Sequence, residues 1–431
     1  MNTVDSCRIC GNNNLVEILN LGVQTLSGRF PSTKDEIIPA YPLVLVKCIG
    51  NNTCGLVQLK HDVNRDQLYR HFYGYMSGLN TTMKTHLQNL VLEAMKKVSL
   101  EDGDVVIDIG SNDGTTLKFY QKNLVRIGID PTGHQFKEFY TDDLILIPEY
   151  FNSELIKKYT SRKAKIITSI AMFYDLPDPV SFAKEIKTIL DSTGVWITEQ
   201  SYLPEMLNTN SFDTVCHEHV EYYTLKQMSY IAAKAGLKII DISFNDINGG
   251  SFRVSFTHQD KFDFSFPRIY HQDVDNIKTI VIETEEKELN QGLNTLKPFE
   301  QFAQRCEEMK KNFISFVQRE KSLGKTFAVY GASTKGNVLL QYYGLDYTVL
   351  DCVAERNPYK YGKFTPKTLI PILSEDEVRQ KKPDYMIVLP WHFKAEFLKR
   401  EKEYMDQGGK LVFPLPTLQI LPEKKSASLP A

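Results

Sequence analysis

The run VVIDIGSNDG, Val105 to Gly114, constrains the fold more than any other stretch of this chain. A short apolar run that ends in a glycine-containing loop and leads into a helical pattern reads as a strand–turn–helix unit. Gly110 and Gly114 let the backbone bend tightly and let a ligand approach it closely. The pattern then repeats. Val125–Ile129 ends in Asp130-Pro131, and Leu144–Ile147, Lys165–Ile170 and Gly194–Thr198 are further strand candidates with helix-like segments between them. Such alternation predicts a parallel sheet with helices on both faces. Residues 237–258 read as two strands around a polar, glycine-rich turn, which would add an antiparallel edge.

Ahead of this sheet, residues 79–99 space their apolar side chains at helical intervals, and residues 275–323 are charged and helical in pattern. KTFAVYGASTKGN, residues 325–337, then opens a second strand–turn–helix unit, with further strands expected at 347–353, 384–389 and 410–413. At 431 residues the chain can bury two or three cores.

Seven cysteines are present, and four cluster early: Cys7 and Cys10 as C-x2-C, Cys48 and Cys54 as C-x5-C. Four thiolates suit a tetrahedral Zn²⁺, and a short knuckle supplies two of them from one turn. Gly11 and Gly55 follow the second cysteine of each pair, where such turns need them. Four protein ligands leave no open position, so this zinc is expected to be structural. Cys216, Cys306 and Cys352 are isolated and read as small buried residues.

The formal charge of −2 provides no global attraction for nucleic acid, and no basic stripe surrounds the cysteines. No run of about 18 apolar residues suggests a membrane span, and the start MNTVDSCRIC lacks signal-peptide character. A cytoplasmic protein without nucleic-acid or membrane partners is the expectation.

Asp130 follows the second strand, where a carboxylate can accept the two hydroxyls of a ribose. NAD and S-adenosylmethionine both carry one. Asp108, opening the loop with Gly110, Ser111, Asn112 and Gly114, favours the cationic methyl donor, and the G-x-G-x-x-G dinucleotide fingerprint is absent. A nicotinamide-dependent sugar oxidoreductase, suggested by the second Rossmann-like unit, is the alternative. The segment CHEHVEYY, Cys216 to Tyr223, puts two imidazoles around a carboxylate. It could serve as metal site, acid–base group or buried polar filler, and no cysteine motif connects to it to complete a metal.

With these motifs in view, the chain resembles the bacterial C-methyltransferases that act on nucleotide-bound 4-keto-6-deoxyhexoses. The resemblance rests on CRIC, HFYGYMSGLNTTM, DIGSNDG, SIAMFYDLPDP, EQSY, FDTVCHEHVEYY, NGGSFRV, YGASTKGNVLLQYYGL, AERNP and PDYMIVLPWHF, in that order. It implies an α/β chain with a small zinc module (1–65), a class I methyltransferase core with a helical lead-in (66–260), a helical connector (261–324), a C-terminal Rossmann-like nucleotide-sugar-binding domain (325–420) and a flexible tail (421–431). It implies S-adenosylmethionine held by the 108–114 loop, Asp130, Pro131 and Ser169.

The same resemblance implies methylation at C3, the carbon beside the ketone. His219 would be the base, Glu218 its neighbour, Tyr75 a donor to the enolate oxygen, and Asp175 would face the sugar. Some members of that family carry Tyr at the position of Cys216, and some carry His at that of Asp175. The substrate is expected to touch Tyr75, Ser77, Glu218, His219 and Arg253. Its diphosphate end would meet Ser333, Lys335, Gly336, Asn337, Glu355 and Arg356. A helix N-terminus offers free N–H groups to phosphate, Lys335 a point charge and Arg356 a bidentate one.

Overall fold

The computed structural model describes residues 1–70, 73–141, 143–260 and 274–423. The expected tail from 424 onward, residues 261–273 of the connector, and His71 and Phe72 of the HFYGYM motif lie outside the described residues.

Seven strands form the central sheet: β1 Val105–Ile109, β2 Val125–Ile129, β3 Leu144–Ile147, β4 Ala164–Ile170, β5 Leu190–Ser201, β6 Leu237–Asn245 and β7 Ser251–His258. Their order is β3-β2-β1-β4-β5-β7-β6. Strands β1 to β5 pair in parallel, whereas β7 is antiparallel to both β5 and β6, so the expected hairpin closes one edge. All five residues of β1 are buried, as a strand covered on both faces requires. The strand order reverses between β1 and β4, and crevices at such a switch point are where doubly wound sheets bind ligands.

The helices start and stop where their sequences say. In α1, Thr81–Lys96, the Asn80 side chain accepts from Met83 N, and Met83, Leu87, Leu90, Val91 and Ala94 form the buried stripe. Asp178 caps α2, Pro179–Ile189, whose first residue is proline. Thr224 and Gln227 make a capping box on α3, Leu225–Ala235, which ends at left-handed Gly236. Helices α4, Val274–Asn290, and α5, Lys297–Ser322, flank Gly292.

Aromatic rings fill the core behind the sheet's carboxyl edge. Trp196 of β5 stacks on Phe256 at 4.8 Å and meets the edge of Phe173 at 5.3 Å. A four-stranded sheet joins Glu221–Tyr222, Val57–Leu59, Ala40–Cys48 and Leu15–Thr25, in that order.

The second large sheet has β8 Phe327–Tyr330, β9 Cys352–Glu355, β10 Ile372–Ser374, β11 Tyr385–Val388, β12 Lys410–Phe413 and β13 Gln419–Leu421. Its order is β10-β9-β8-β11-β12-β13, parallel except for β13. Helix α6, Thr334–Tyr343, follows β8 with Ser333 as N-cap and left-handed Gly344 at its end.

The chain divides into two compact units that interleave in sequence. One comprises residues 1–20, 44–206 and 217–298; the other comprises 21–43, 207–216 and 299 onward. Within the second unit, Gln341 exchanges hydrogen bonds with the backbone of Thr25, Asn337 donates to Ser27 O at 2.7 Å, and Arg305 donates to Asn210 and Leu207 O.

Candidate active site

The four early cysteines come together. Their sulfurs all lie within 4.8 Å of one another, with Cys7–Cys54 at 3.3 Å and Cys10–Cys48 at 3.7 Å, and all four are free thiols. A zinc tetrahedron with bonds of about 2.3 Å has sulfur–sulfur edges of about 3.8 Å, so this set fits one. Gly11 and Gly55 take positive φ at the knuckle turns, and Gly11 N donates to Cys7 O. The module is also tied to the HEH segment. Glu221 and Tyr222 pair with Gln58 and Val57, Leu59 N donates to Val220 O, and Gln227 Nε2 donates to Cys54 O at 2.6 Å.

The loop after β1 is built around Asp130. Asp130 Oδ2 accepts from Asn112 N at 2.8 Å, and Oδ1 accepts from Thr132 N and Oγ1 at 2.7 and 2.5 Å. A carboxylate offers about four acceptor positions, so one remains open to a ribose hydroxyl. Gly110 and Gly114 both adopt positive φ, at 75° and 71°. A Cβ on Gly114 would stand 3.1 Å from the Tyr140 ring, whose hydroxyl donates to Ser111 Oγ and Asn112 O. Burial lifts the Asp108 carboxyl to about 7, although Thr168 donates to it at 2.6 Å. A buried acid in that state gains its charge when a cationic group arrives, which suits the ammonium and sulfonium of S-adenosylmethionine. Ser169, at the end of β4, is fully buried and accepts from Trp196 Nε1.

Beyond β4, residues 171–175 turn back across this loop. Ala171 has φ 51°, and Met172 packs so closely that a Cβ on Gly110 would lie 2.9 Å from its side chain. Phe173 anchors the turn by stacking on Tyr223 at 5.5 Å. The next two residues therefore face the HEH segment. The Tyr174 ring lies 4.2 Å from the His219 ring, and Val220 N donates to Tyr174 O. Asp175 accepts from the Tyr69 hydroxyl at 3.0 Å. Burial, with Glu218 nearby, holds the Asp175 carboxyl well above the usual carboxylate range, and burial with Asp175 also raises the Tyr69 phenol.

Tyr69 stands at this acidic cluster, and residues 73–78 stand at the loop after β1. Tyr69 meets Asp175, Tyr73 N donates to Gln135, Ser77 N donates to Asn112 Oδ1, and Gly78 N donates to Asp113 Oδ2. Tyr75 lies at that loop, beside Ser77 and Asp113, with its backbone oxygen accepting from Asn112 Nδ2. Arg253 is engaged by Glu199, which also holds His86 and Asn245.

In the second unit, Lys335 lies near Asp213 and Cys216, and burial lowers its pKa. Asp213 accepts from Trp391 Nε1 at 3.0 Å, and burial with Lys335 drives His392 down to about 3. Glu355 accepts from Ala332 N, Arg356 N and Asn357 N, each at 2.8 Å. Gly336 is a packing residue, since a Cβ there would sit 2.6 Å from Leu389, and Ser333 Oγ accepts from Gly336 N. Arg356 is exposed and faces Glu375 and Glu396.

Tyr69, Asp213 and Glu199 were not among the expected site residues. Asp213 and Glu199 stood inside the motifs FDTVCHEHVEYY and EQSY, while Tyr69 lies two residues ahead of HFYGYM and had no motif to mark it.

A parallel sheet with this strand order, a glycine loop at its switch point and an acid after the second strand define a class I methyltransferase, and the chain is an S-adenosylmethionine-dependent enzyme of that kind. Three family models match it in tandem: "Putative zinc binding domain" over residues 7–69, "Methyltransferase domain" over 79–242 and "C-methyltransferase C-terminal domain" over 246–416. It is 28% identical over 423 residues to the C-methyltransferase NovU of Streptomyces niveus, covering 97% of each chain. Among solved structures it is similar to the N-methyltransferase NodS of Bradyrhizobium japonicum WM9, at 12% identity and TM-score 0.30 over 42% of this chain and 97% of that one. A Clostridium acetobutylicum S-adenosylmethionine-dependent methyltransferase matches at 10% identity and TM-score 0.30, over 41% of this chain and 90% of that one. No described helix is long and apolar enough to cross a membrane.

Proposed function

We propose that the chain methylates a nucleotide-bound 4-keto-6-deoxyhexose at C3, with zinc on Cys7, Cys10, Cys48 and Cys54 serving the fold. The observation that carries this reading is that Tyr69 touches the acidic cluster beside His219 while Ser77 and Gly78 touch the loop after β1. A carbon beside a ketone is acidic because its carbanion delocalises onto the oxygen, so C-methylation needs a positioned base. An imidazole, with an ordinary pKa of about 6.5, is matched to that task near neutrality. His219 is that base, its ring set by Tyr174 and its backbone by the ladder to Val57–Leu59. Glu218 orients it or meets a sugar hydroxyl, and Tyr75 borders the sugar. S-adenosylmethionine, when bound, supplies an electrophilic methyl. In the second unit, Lys335 is the cation for the diphosphate, a task for which Asp213 is its counter-charge in the ligand-free chain.

His219→Ala should lose methylation by about 10²–10⁴-fold, the usual cost of a general base, while binding S-adenosylhomocysteine normally. Incubation of keto sugar with S-adenosylhomocysteine in D₂O should show deuterium entering C3 with wild type and not with the variant. Fast exchange in the variant with methylation abolished would assign the base elsewhere.

A further inference from the structure

We infer that Asp175 is the hydrogen-bond donor to the substrate's keto oxygen, and that Tyr69 is the positioning residue that fixes which of its oxygens donates. This rests on the enolate reading above. The geometry is specific to this pair. Tyr69 Oη donates to Asp175 Oδ2 at 3.0 Å, so Oδ2 is engaged as an acceptor. Asp175 Oδ1 is shielded from solvent and has no hydrogen-bond partner among the described residues. A buried polar atom left so is costly, on the order of 1–3 kcal/mol, and calls for a ligand that satisfies it. Burial and the neighbouring Glu218 favour the neutral acid, and the raised Tyr69 phenol keeps its own proton. With Oδ2 accepting from Tyr69, the acid's proton resides on Oδ1. The result is a neutral carboxylic acid that donates at one defined atom, a device that suits an oxyanion.

The turn also stands where the chemistry needs it. Met172 packs on Gly110 of the loop after β1, Tyr174 lies against His219, and Asp175 follows directly. In the step proposed, the C3–H bond breaks and its proton goes to His219. The electron pair becomes C3=C4 while the ketone's π pair moves onto oxygen, which accepts a hydrogen bond from Asp175 Oδ1. When the C3 pair then forms the bond to the methyl carbon, the donor's sulfur–methyl bond breaks with its pair left on sulfur, the ketone re-forms and Asp175 keeps its proton throughout. Tyr75, at the loop after β1 beside Asp113, is the competing donor.

The test measures deuterium entry at C3 by NMR, with S-adenosylhomocysteine bound and no methyl transfer, using thymidine- and uridine-diphospho-4-keto-6-deoxyglucose as probes. Asp175→Ala should slow exchange by about 10²–10³-fold, the usual loss for one oxyanion donor. Asp175→Asn should recover most of it, because Tyr69 would still donate to the amide oxygen and so turn the N–H₂ to the position of Oδ1. Tyr69→Phe should slow exchange in wild type and cancel the recovery in Asp175→Asn. Calorimetric binding of S-adenosylhomocysteine and the melting temperature establish that each variant is folded, and isosteric Asp175→Asn is the variant least exposed to misfolding. An Asp175→Asn enzyme that is folded and as slow as Asp175→Ala would overturn the inference, since it would require a carboxylate. So would near-normal exchange in Asp175→Ala with Tyr75→Phe a hundredfold slow, which gives the role to Tyr75. Absence of both exchange and methylation in wild type would instead sink the sugar reading itself, and the inference with it.

Discussion

Glu199 carries the densest buried charge network of the methyltransferase sheet, and replacing it with glutamine should be costly. Its side chain is 3% exposed. It accepts from His86 Nε2 at 2.5 Å, Arg253 Nε at 2.9 Å, Arg253 Nη2 at 2.8 Å and Asn245 Nδ2 at 3.1 Å. At an effective dielectric of 20, unit charges at that separation attract by about 6 kcal/mol, against which desolvation must be set. Glu199→Gln keeps the shape and leaves the Arg253 charge, itself only 12% exposed, without its counter-ion. Breaking one side of a buried pair costs about 3–5 kcal/mol. The melting temperature followed by calorimetry should therefore fall by about 6–20 °C, at roughly 2–4 °C per kcal/mol for a unit of this size. The pH dependence adds a second readout. Burial pushes the Glu199 carboxyl up, but the His86 hydrogen bond and the Arg253 charge outweigh it, and the net shift is down. A depressed folded-state pKa gives stability that is full above the unfolded value of about 4.3 and is lost as pH falls through the folded value. The gap between wild type and Glu199→Gln should thus be widest near neutrality and narrow in acid. A loss below about 1 kcal/mol at neutral pH would mean that Arg253 finds water and that the network contributes little, as surface pairs do.

Purified protein should hold about one Zn²⁺ per chain, since structural sites bind tightly; less than about half an equivalent in folded, active protein would refute the four-thiol site. Asp130→Ala should weaken S-adenosylmethionine binding by roughly 1.5–3 kcal/mol, or about 10- to 150-fold in Kd, because the loop loses its central acceptor as well as the ribose contact. Unchanged calorimetric affinity would remove Asp130 from the cofactor site.

The strands of the first sheet were legible because their signals are local, whereas in the second sheet the strand expected at 347–353 lies at Cys352–Glu355, because the preceding residues form a turn on Asp346. An apolar run closed by glycine or Asp-Pro needs no distant information, and β1 and β2 lie where those runs stand. Short edge strands carried no such mark: Ile372–Ser374 and Gln419–Leu421 are three residues each and gain their identity from a neighbour's ladder. The interleaving of the two units was equally hidden. Residues 21–43 read as an extension of the zinc module, yet Thr25 and Ser27 are bonded to Gln341 and Asn337, more than 300 positions away. Asn337 accordingly spends its amide donor on chain packing. Likewise, which phenol meets the acidic cluster depends on where the fold places Tyr69, and no periodicity encodes that position.

The two sheets share one device. In each, an acid after the second strand accepts the N–H of the loop after the first: Asp130 from Asn112 N and Glu355 from Ala332 N, both at 2.8 Å. Asp130 has three such bonds and retains an acceptor position for a ribose. Glu355 takes three backbone donors and also faces the Lys360 ammonium as an ion pair at 3.7 Å. Lys360 is itself held to that loop by its bond to Ala332 O at 2.7 Å. Glu355 therefore shapes its loop with both oxygens and has a cation beside it. In the second unit the buried Lys335 lies near Asp213 and Cys216. The same acid-to-loop bond thus recurs in both sheets, and at the second it is accompanied by a lysine ammonium.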